Sequence, residues 1–343
     1  MDFIPNEVLE NIITQLPYNS LLNSRLISHR FNAISRRLIC QYIPNTLRHL
    51  SEFTKLFNTS NTSDTTNLTL YNGKWPLYNR LEWEIYLQQY PYLQPKTQRQ
   101  INNKYQDYSL FIDEEYSRTI TQDIIIFKNL LAQLPRLRTL SISTLYPWGQ
   151  LQRNNYKLAK LNREICTTPL LKEPLDQIIQ TLLGILPQYP KIEELSIKGV
   201  TKFKHINQKL QLSQIQKLTI DILYSPELDF IKLLDFIKLF PDLKYLSLKL
   251  PLRLIASNNQ RNLPLEQASW SNLSYIYLEK LYISELVIKE FILRNSRLKK
   301  VHLKDIILTE GNWVSFLSSM QGNNQVSFIL EGGLNSASPI FSL

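Results

Sequence analysis

Four histidines and two cysteines are the side chains in this sequence best suited to bind a metal or attack a substrate. Zinc sites need such ligands in closely spaced sets, whereas no histidine here has a second histidine or a cysteine at ligand spacing. We therefore expect no metal and no cofactor. A Cys–His nucleophile stays open on sequence alone, although neither cysteine lies in a supporting motif. The six residues are His29, Cys40, His49, Cys166, His205 and His302.

Glycines that could hold a nucleotide phosphate are few. The chain has eight glycines, and none belongs to a Gly-x-Gly-x-x-Gly or P-loop pattern. The two cysteines are too few for a disulfide framework and are expected to be buried small residues. This set of residues favours a binding protein over an enzyme.

Tyrosines and lysines recur at spacings that could form one binding surface. Tyrosine is a rigid aromatic anchor that is common at binding hot spots, and the lysines would favour an acidic or phosphorylated peptide as the ligand. The alternative is a solvated lysine face whose tyrosines shield the sheet beneath. The candidate substrate-binding residues are Lys198, Tyr245, Lys249, Tyr275, Tyr277, Lys300, His302 and Lys304.

A repeated pattern, Leu-x-x-Leu-x-Leu, would position these residues on strands. Because alternate residues of a strand point to opposite faces, the leucines should face a core, and the third, fifth and seventh positions should project from the other face. From the second copy onward the copies begin 23, 28, 30 and 25 residues apart. Clear copies begin at Leu137, Ile192, Ile215 and Leu243, and weaker copies begin at Leu273 and Leu298.

Amphipathic helices ending near a proline are predicted between these strands, at 127–135, 178–187 and 230–241. Each strand-and-helix unit could cover its apolar side only with its neighbours, and the units resemble degenerate leucine-rich repeats. That resemblance implies an α/β solenoid with a curved, mainly parallel sheet, whose number of repeats stays open. Further strands are expected at 68–70, 110–112 and 326–328.

Two stretches interrupt the repeat. Residues 145–176 form a basic insertion on one rim, which either serves binding or is a tolerated surface loop. A polar low-complexity patch belongs to the connecting helix and flexible loop expected at 43–66. The solenoid is then expected over 67–333, followed by a C-terminal tail at 334–343.

Three short helices are predicted within residues 1–42. Apolar residues recur at steps of three to five along the first helix, Pro5 suits its first turn, and Pro17 ends it. The three helices carry about a dozen large apolar side chains, more than so small a unit can bury by itself. A second surface, either the rest of this chain or another protein, must cover them.

Residues 4–35 resemble the F-box motif almost from end to end. The matching stretch contains Ile4-Pro5-Asn6-Glu7-Val8-Leu9, Leu16-Pro17, Leu21-Leu22-Asn23-Ser24-Arg25-Leu26 and Phe31-Asn32-Ala33-Ile34. It departs from the family at Ser20, where Asp is common, and at His29, where Lys is frequent. The resemblance implies packing and contact with a Skp-type linker subunit through Ile4, Pro5, Leu9, Ile12, Leu16, Leu21, Leu22 and Phe31.

The F-box resemblance implies a non-catalytic substrate-recognition adaptor of a Skp-cullin-F-box E3 ubiquitin ligase. Its F-box would dock the linker subunit, and through it a cullin, while the solenoid would hold a protein target for ubiquitin-dependent degradation. The alternative is a structural adaptor that binds the same linker without a cullin, within a chromatin or kinetochore assembly. Co-purification of a cullin separates the two hypotheses.

Charge and hydropathy narrow the partners further. The chain of 343 residues has a formal net charge of +10, which favours an acidic partner. No recognition helix or aromatic–basic RNA motif is visible, which disfavours direct nucleic-acid binding. No apolar run approaches the roughly 18 residues of a membrane span, and the start lacks a secretory signal pattern. We expect an intracellular protein, nuclear or cytoplasmic, without membrane contact.

Overall fold

Parallel strands joined by helices build both units into which the chain divides, Met1–Glu173 and Pro174–Leu343. The structure is a computed structural model, and elements are numbered in chain order. It describes residues 5, 8–9, 12–13, 27–28, 30–31, 41–51, 65–72, 74–95, 97–144, 161–167, 175–204, 207–223, 228–250, 263–320, 326–333 and 335–336.

Unit 1 contains three parallel strands, β1 (Gln41–Pro44), β2 (Asn67–Tyr71) and β3 (Thr139–Ser143), within its described residues. Strand β2 pairs with both β1 and β3. Between β2 and β3 lie α1 (Arg80–Gln89), a 3₁₀ turn (Pro91–Leu93), α2 (Gln98–Tyr116) and α3 (Ile120–Ala132). The predicted strand at 68–70 lies within β2, and the predicted helix at 127–135 overlaps α3, which begins seven residues earlier and ends three residues earlier.

Each of these three helices begins at a reciprocal capping box. The side chains of Asn79, Thr97 and Thr119 accept hydrogen bonds from the backbone three residues on, where Glu or Gln bonds back to the cap. A capping box satisfies two amides that the first helical turn leaves unbonded. These local sequences therefore set where the helices start.

The core of unit 1 is rich in aromatic rings. The rings of Trp83, Tyr105 and Tyr108 pack against one another, and the Trp83 ring centroid lies 5.5 Å from that of Tyr105 and 6.0 Å from that of Tyr108. The Tyr108 hydroxyl donates to the Pro76 carbonyl at 2.6 Å and accepts from the Tyr78 amide at 2.7 Å. Burial raises the pKa of Tyr108 to about 12, so this hydroxyl acts as a neutral structural group.

The strand predicted at 110–112 is wrong, because these residues lie inside the 19-residue helix α2. Tyr108, Phe111 and Ile112 are buried, whereas Leu110 is 63% exposed. Buried positions at steps of three and four mark one face of a helix. The short apolar run was therefore part of a helical stripe.

The insertion expected at 145–176 is described at 161–167 and from residue 175 onward. Leu161, Ile165 and Cys166 pack into the aromatic core of unit 1, and the Trp83 indole donates to the Ile165 carbonyl at 3.3 Å. This part of the segment thus belongs to a core. Cys166 is buried, as expected. Residues 145–160 and 168–174, like Cys40, lie outside the described residues.

Unit 2 is built on a parallel sheet whose described strands lie in the order β4, β5, β6, β7, β9, β11. These strands are Glu194–Gly199, Lys217–Ile222, Tyr245–Lys249, Tyr275–Glu279, Lys300–Lys304 and Ser327–Glu331. The short strands β8 (Tyr282–Ile283), β10 (Ile307–Leu308) and β12 (Asn335–Ser336) form a second sheet with β10 in its centre.

Helices alternate with these strands in unit 2. They are α4 (Asp176–Ile185), α5 (Phe230–Lys238), α6 (Glu285–Arg294) and α7 (Trp313–Met320), with 3₁₀ turns at Leu186–Gln188 and Leu265–Gln267. The predicted helices at 178–187 and 230–241 correspond to α4 and α5. Every predicted copy of the leucine pattern contains a strand, and the strand expected at 326–328 is β11. The chain is therefore a mixed α/β protein with a mainly parallel sheet.

Turns after the last three long strands share one backbone conformation. Lys280, Asp305 and Gly332 directly follow β7, β9 and β11, and their φ angles are 60°, 52° and 73°. The Asp305 carboxylate then accepts the Gly333 amide at 2.9 Å. Glu285 likewise accepts the Asn312 amide at 2.9 Å. These carboxylates tie one strand-and-helix unit to the next, 27 or 28 residues along the chain.

Candidate protein-binding surfaces

The first predicted helix has two apolar faces among its described residues. Leu9 and Ile13 are 4% and 0% exposed, so they pack inside the chain. Val8 and Ile12 are 46% and 51% exposed, and their spacing of four residues places them side by side on the helix. Among the described residues, the helix therefore carries an apolar pair that is about half exposed.

The remaining candidate docking residues are only partly described. Pro5 is exposed, Phe31 is half-buried, and the Phe31 amide donates to the Ser28 hydroxyl at 3.2 Å. Val8 and Ile27 are also exposed, Ile27 by 59%, but neither was among the docking residues predicted from the sequence. The four-residue step from Val8 to Ile12 was a signal that could have identified Val8. Ile4, Leu16, Leu21 and Leu22 lie outside the described residues.

Unit 2 presents a polar face on the side of its sheet opposite the leucines. In β5 the burial alternates along the strand, with Leu218 and Ile220 fully buried and the residues between them half-buried. The same alternation holds in β4. The pattern in β4 and β5 agrees with the expectation that the third, fifth and seventh positions project together, whereas Ser247 in β6 and Glu279 in β7 occupy such positions but are buried. All eight candidate substrate-binding residues lie on this face.

Two stacked tyrosines lie on this polar face at the N-terminal ends of strands β6 and β7. The rings of Tyr245 and Tyr275 lie parallel, with centroids 4.6 Å apart and planes 4° from each other. The Lys217 ammonium lies 5.3 Å from the Tyr245 centroid, and the Lys300 ammonium lies 5.6 Å from the Tyr275 centroid. We call Lys217, Tyr245, Tyr275 and Lys300 the aromatic row. In it, each tyrosine ring has one face stacked on the other tyrosine and the opposite face covered by a lysine ammonium in a cation–π contact. The row therefore offers ring edges, hydroxyls and ammonium groups to a ligand.

A second row of projecting side chains lies near the C-terminal ends of the strands, and its charges alternate in sign. Neighbours in this charged row are in register across adjacent strands, roughly 4.8 Å apart. The sequence reasoning selected only the lysines. The carboxylates occupy the same projecting position of the repeat, and that position was the signal that could have found them. The charged row is Lys198, Asp221, Lys249, Glu279, Lys304 and Glu331.

Glu279 is the buried centre of this row. It is 5% exposed, accepts the Tyr277 hydroxyl at 2.6 Å and lies 3.5 Å from the Lys249 ammonium. Burial favours its neutral form, but the Tyr277 hydrogen bond and the charges of Lys249 and Lys304 outweigh burial and lower the pKa of Glu279. Glu279 is thus an ionised carboxylate that neutralises Lys249.

His302 links the tyrosines to the edge of the sheet. Its Nδ1 lies 3.3 Å from the Tyr275 hydroxyl, and its Nε2 lies 3.4 Å from the Glu331 carboxylate. The ring meets Tyr277 edge-on, with centroids 4.7 Å apart. Burial, followed by the charge of Tyr245 and Glu331, raises the pKa of Tyr275. Tyr275 therefore stays neutral.

Three lysines on this face form no salt bridge among the described residues, although the charge of Lys304 acts on Glu279. Lys217 pairs with Glu194 at 3.2 Å, and Lys249 pairs with Glu279. Within the part of the chain that the structure describes, Lys198, Lys300 and Lys304 form no salt bridge within 4.0 Å. Cationic contacts to a ligand would therefore come first from these three.

Two further features, a metal cluster and a membrane-spanning helix, are absent from the described residues. In those residues no group of three or more His, Cys, Asp and Glu side chains could hold a metal ion. Nor does any helix in the described ranges have the length and apolar character needed to cross a membrane.

Comparison with known proteins identifies the N-terminal segment. Residues 2–40 match the F-box domain family. No curated protein matches the sequence of the chain. A crystal structure of a protein from Bacteroides fragilis is similar over 66% of this chain and 71% of that chain, with 12% identity and a TM-score of 0.26. A score that low carries no conclusion about fold or function.

F-box domains generally bind Skp-type linker subunits, and F-box proteins are generally non-catalytic adaptors. Such a domain suggests a component of substrate recognition by ubiquitin ligases of the Skp-cullin-F-box type. Because residues 2–40 match the domain family, they are an F-box domain, and the match supports the interpretation of the chain as an F-box protein.

Proposed function

We propose that this protein is the substrate-recognition adaptor of a Skp-cullin-F-box E3 ubiquitin ligase. The observation that carries the proposal is the exposed apolar pair Val8 and Ile12 on a helix of the F-box domain. Burial of each aliphatic side chain is worth roughly 1.5–3 kcal/mol. A linker subunit that covers the pair would gain that energy.

The docking surface that we propose consists of the residues that match the F-box motif, with Val8 added. Within it, Leu9 acts through packing, because it is buried inside the chain. Ile12 and Pro5 are exposed and would touch the linker directly. For the domain boundaries we propose those predicted from the sequence, with the F-box at 1–42.

The second part of the proposal is that residues 67–333 form a leucine-rich-repeat-like solenoid. Three features of unit 2 support it: one strand for each copy of the pattern, parallel register between neighbours, and carboxylate ties at 27 or 28 residues. A repeat fold exposes one face of its sheet over its whole length. The polar face of unit 2 is that surface.

We further propose that the target protein binds this polar face through an acidic or phosphorylated segment. Two ammonium groups support an anionic ligand: that of Lys300, over the ring of Tyr275 in the tyrosine stack, and that of Lys304, in the charged row at the other end of the strands. Lys249 contributes less, because buried Glu279 already neutralises it.

In this function the chain needs no catalytic residue. The F-box tethers the adaptor to the ligase, and the polar face holds the target near the ubiquitin carrier. A tethered reaction gains rate because the effective concentration of the target lysines rises.

The decisive experiment measures affinity for a purified Skp homologue. We expect Ile12→Asp to raise the Kd at least about tenfold, because a lost apolar contact of roughly 1.4 kcal/mol or more changes an equilibrium by that factor. The matched control is Leu81→Asp on α1, because Leu81 is 67% exposed but lies outside the F-box. Equal loss in both variants, or no binding by the unaltered chain, contradicts the proposal.

A structural adaptor without a cullin is the second candidate, favoured by the net charge of +10, which could meet DNA phosphate in a chromatin or kinetochore assembly. A complex purified with the Skp homologue separates the two. A cullin in that complex supports the ligase adaptor, and its absence together with salt-sensitive DNA binding supports the structural adaptor.

A further inference from the structure

The last strand in the long sheet of unit 2 has one open edge. Strand β11 pairs with β9 in parallel register, and no other strand of the described residues pairs with β11. Val301 and Leu303 on β9 are 1% and 0% exposed. Phe328 and Leu330 lie beside them in register on β11 but are only half-buried. Among the described residues, the sheet therefore ends with an unpaired edge beside partly exposed apolar side chains.

The backbone groups that face this open edge belong to Phe328 and Leu330. The Ser327 amide and the Glu331 carbonyl bond to backbone groups that flank β9, at 2.8 and 3.0 Å. Alternate residues of a strand direct their backbone groups to the same side, so the amides and carbonyls of Phe328 and Leu330 point away from β9. The edge therefore offers hydrogen-bond donors and acceptors to a further strand.

Strand β11 also lacks the residues that usually protect an edge strand. Natural sheets discourage pairing at an edge with proline, with lysine or with a bulge. The sequence of β11, Ser-Phe-Ile-Leu-Glu, contains neither proline nor lysine, and its single charge, Glu331, stands at the end of the strand. An edge of this composition favours pairing with another strand.

A second copy of β11 in antiparallel orientation matches this edge. In an antiparallel ladder, residues whose backbone groups point toward each other form the hydrogen-bonded pairs, so Phe328 would pair with Leu330 of the second copy, and Leu330 with its Phe328. Ile329 would then lie opposite Ile329 of the second copy, and Ser327 opposite its Glu331. Apolar side chains would meet apolar side chains, and no like charges would lie opposite each other. Both features stabilise cross-strand pairs.

We infer that two copies of this chain associate through the open edge of β11, with Ile329 on the two-fold axis. The inference goes beyond the proposed function and does not depend on it. Such an interface is isologous, because each copy contributes the same strand. The axis stands perpendicular to the sheet, so the polar faces of both copies lie on the same side of one continuous sheet. A target with two acidic segments would then bind with higher avidity.

The first test is disulfide formation in the full chain with Cys40 replaced by serine. Cys166 stays, because it is buried and burial raises its pKa, which suppresses its reaction. Directly opposite residues of a non-hydrogen-bonded pair have Cα atoms roughly 4.5 Å apart, which suits a disulfide. We therefore expect Ile329→Cys to form a covalent dimer on mild oxidation. The matched control is Ser327→Cys, whose counterpart in the second copy would lie roughly 13 Å away along the strand.

The second test measures the dimer dissociation constant by sedimentation equilibrium, without a cross-link. Ile329→Lys should raise that constant at least about tenfold, because it removes an apolar pair and places two like charges opposite each other. A mixture of Ile329→Lys and Ile329→Glu chains should restore the dimer, since lysine then lies opposite glutamate. The control is Ile231→Lys on α5, because Ile231 is 54% exposed but lies away from the edge; its dissociation constant should equal that of the parent chain.

Circular dichroism and the urea midpoint establish that each variant is folded. A parent chain that stays monomeric at its highest soluble concentration overturns the inference, as does a dimer that Ile329→Lys leaves intact. Equal cross-linking of Ser327→Cys and Ile329→Cys also overturns it. Binding to the Skp homologue is measured on the same samples. Loss of that binding in the parent chain would count against the proposed function alone, since the association of two copies is measured without the linker.

Discussion

At the scale of single residues, Glu279 shows how burial and charge together set the properties of the polar face. Its carboxylate is almost inaccessible, yet it stays ionised because Tyr277, Lys249 and Lys304 surround it. The same contacts remove Lys249 from the set of free cations. A lysine on a strand therefore indicates an anion site only when its neighbours across the sheet are known.

The lowered pKa of Glu279 predicts an acid-dependent loss of stability. Above the ordinary glutamate value of 4.5, the carboxylate is ionised in folded and unfolded chains, and its stabilising contribution is complete. As pH falls through the lower folded-state pKa, protonation removes that contribution. We expect Glu279→Gln to flatten this decline, measured as the urea midpoint over the acidic range.

The control for this measurement is Glu194→Gln, which alters an exposed ion pair with Lys217 on the same face. Its acid dependence should follow that of the parent chain. If Glu279→Gln declines as steeply as the parent, Glu279 does not supply the pH dependence.

At the scale of elements, the turn before α7 depends on a single glycine. Gly311 has a φ of +86°, and a Cβ built on it would lie 2.2 Å from a Glu285 carboxylate oxygen. That carboxylate is the tie between α6 and the start of α7. Any other residue would strain the backbone and displace the tie.

We predict that Gly311→Ala lowers the free energy of unfolding by at least about 1–3 kcal/mol, the cost of a strained backbone position. The matched control is Gly184→Ala inside α4, where no atom lies within 4 Å of the added Cβ. That change should stabilise the chain by roughly 0.5–1 kcal/mol, because glycine is a poor helix residue. Urea denaturation measures both, and equal effects of the same sign would contradict the prediction.

Elements also show where local patterns mislead. The six copies of the leucine pattern became strands because an alternation of apolar and polar residues can bury only one face of a strand. The apolar run at 110–112 has no such alternation. Tyr108, which precedes the run, and Phe111 and Ile112 within it are buried at helical spacing, so a window wider than the run is needed to distinguish a helix from a strand.

At the scale of the whole molecule, the proposed adaptor has one surface in each unit, and the two can be altered separately. We predict that Lys300→Glu with Lys304→Glu abolishes capture of target proteins while linker binding is unchanged. Linker binding is measured with Ile12 intact, whereas target capture is measured by quantitative proteomics with a bait that also carries Ile12→Asp, since targets held by such a chain escape degradation. We expect the loss of capture because both lysines form no salt bridge among the described residues, so that their positive charges can contact an acidic target.

The control variant carries Lys232→Glu and Lys238→Glu on the exposed side of α5, which changes the net charge equally. Candidate targets are proteins that the control bait retains and the Lys300 and Lys304 variant loses. If both variants lose the same proteins, net charge rather than the polar face governs capture. If neither loses any, the target site lies elsewhere.

What the sequence by itself determined were features that a short window contains. The F-box motif, the inward leucines, the projecting tyrosines and lysines, and helices α3, α4 and α5 depend on residues within a few turns or one strand of each other. Local sterics and the burial of one face decide such features, so they could be read without a fold.

Only the tertiary structure decided which distant residues meet. Parallel register brought Glu279 beside Lys249, 30 residues away, and stacked Tyr275 on Tyr245. Packing of α2 and α3 brought Arg118 to Asn45, 73 residues away. Contacts of this kind depend on how whole elements pack, because the energy of a charge or hydrogen bond is set by its neighbours in space. A short stretch of sequence does not reveal which residues those neighbours are.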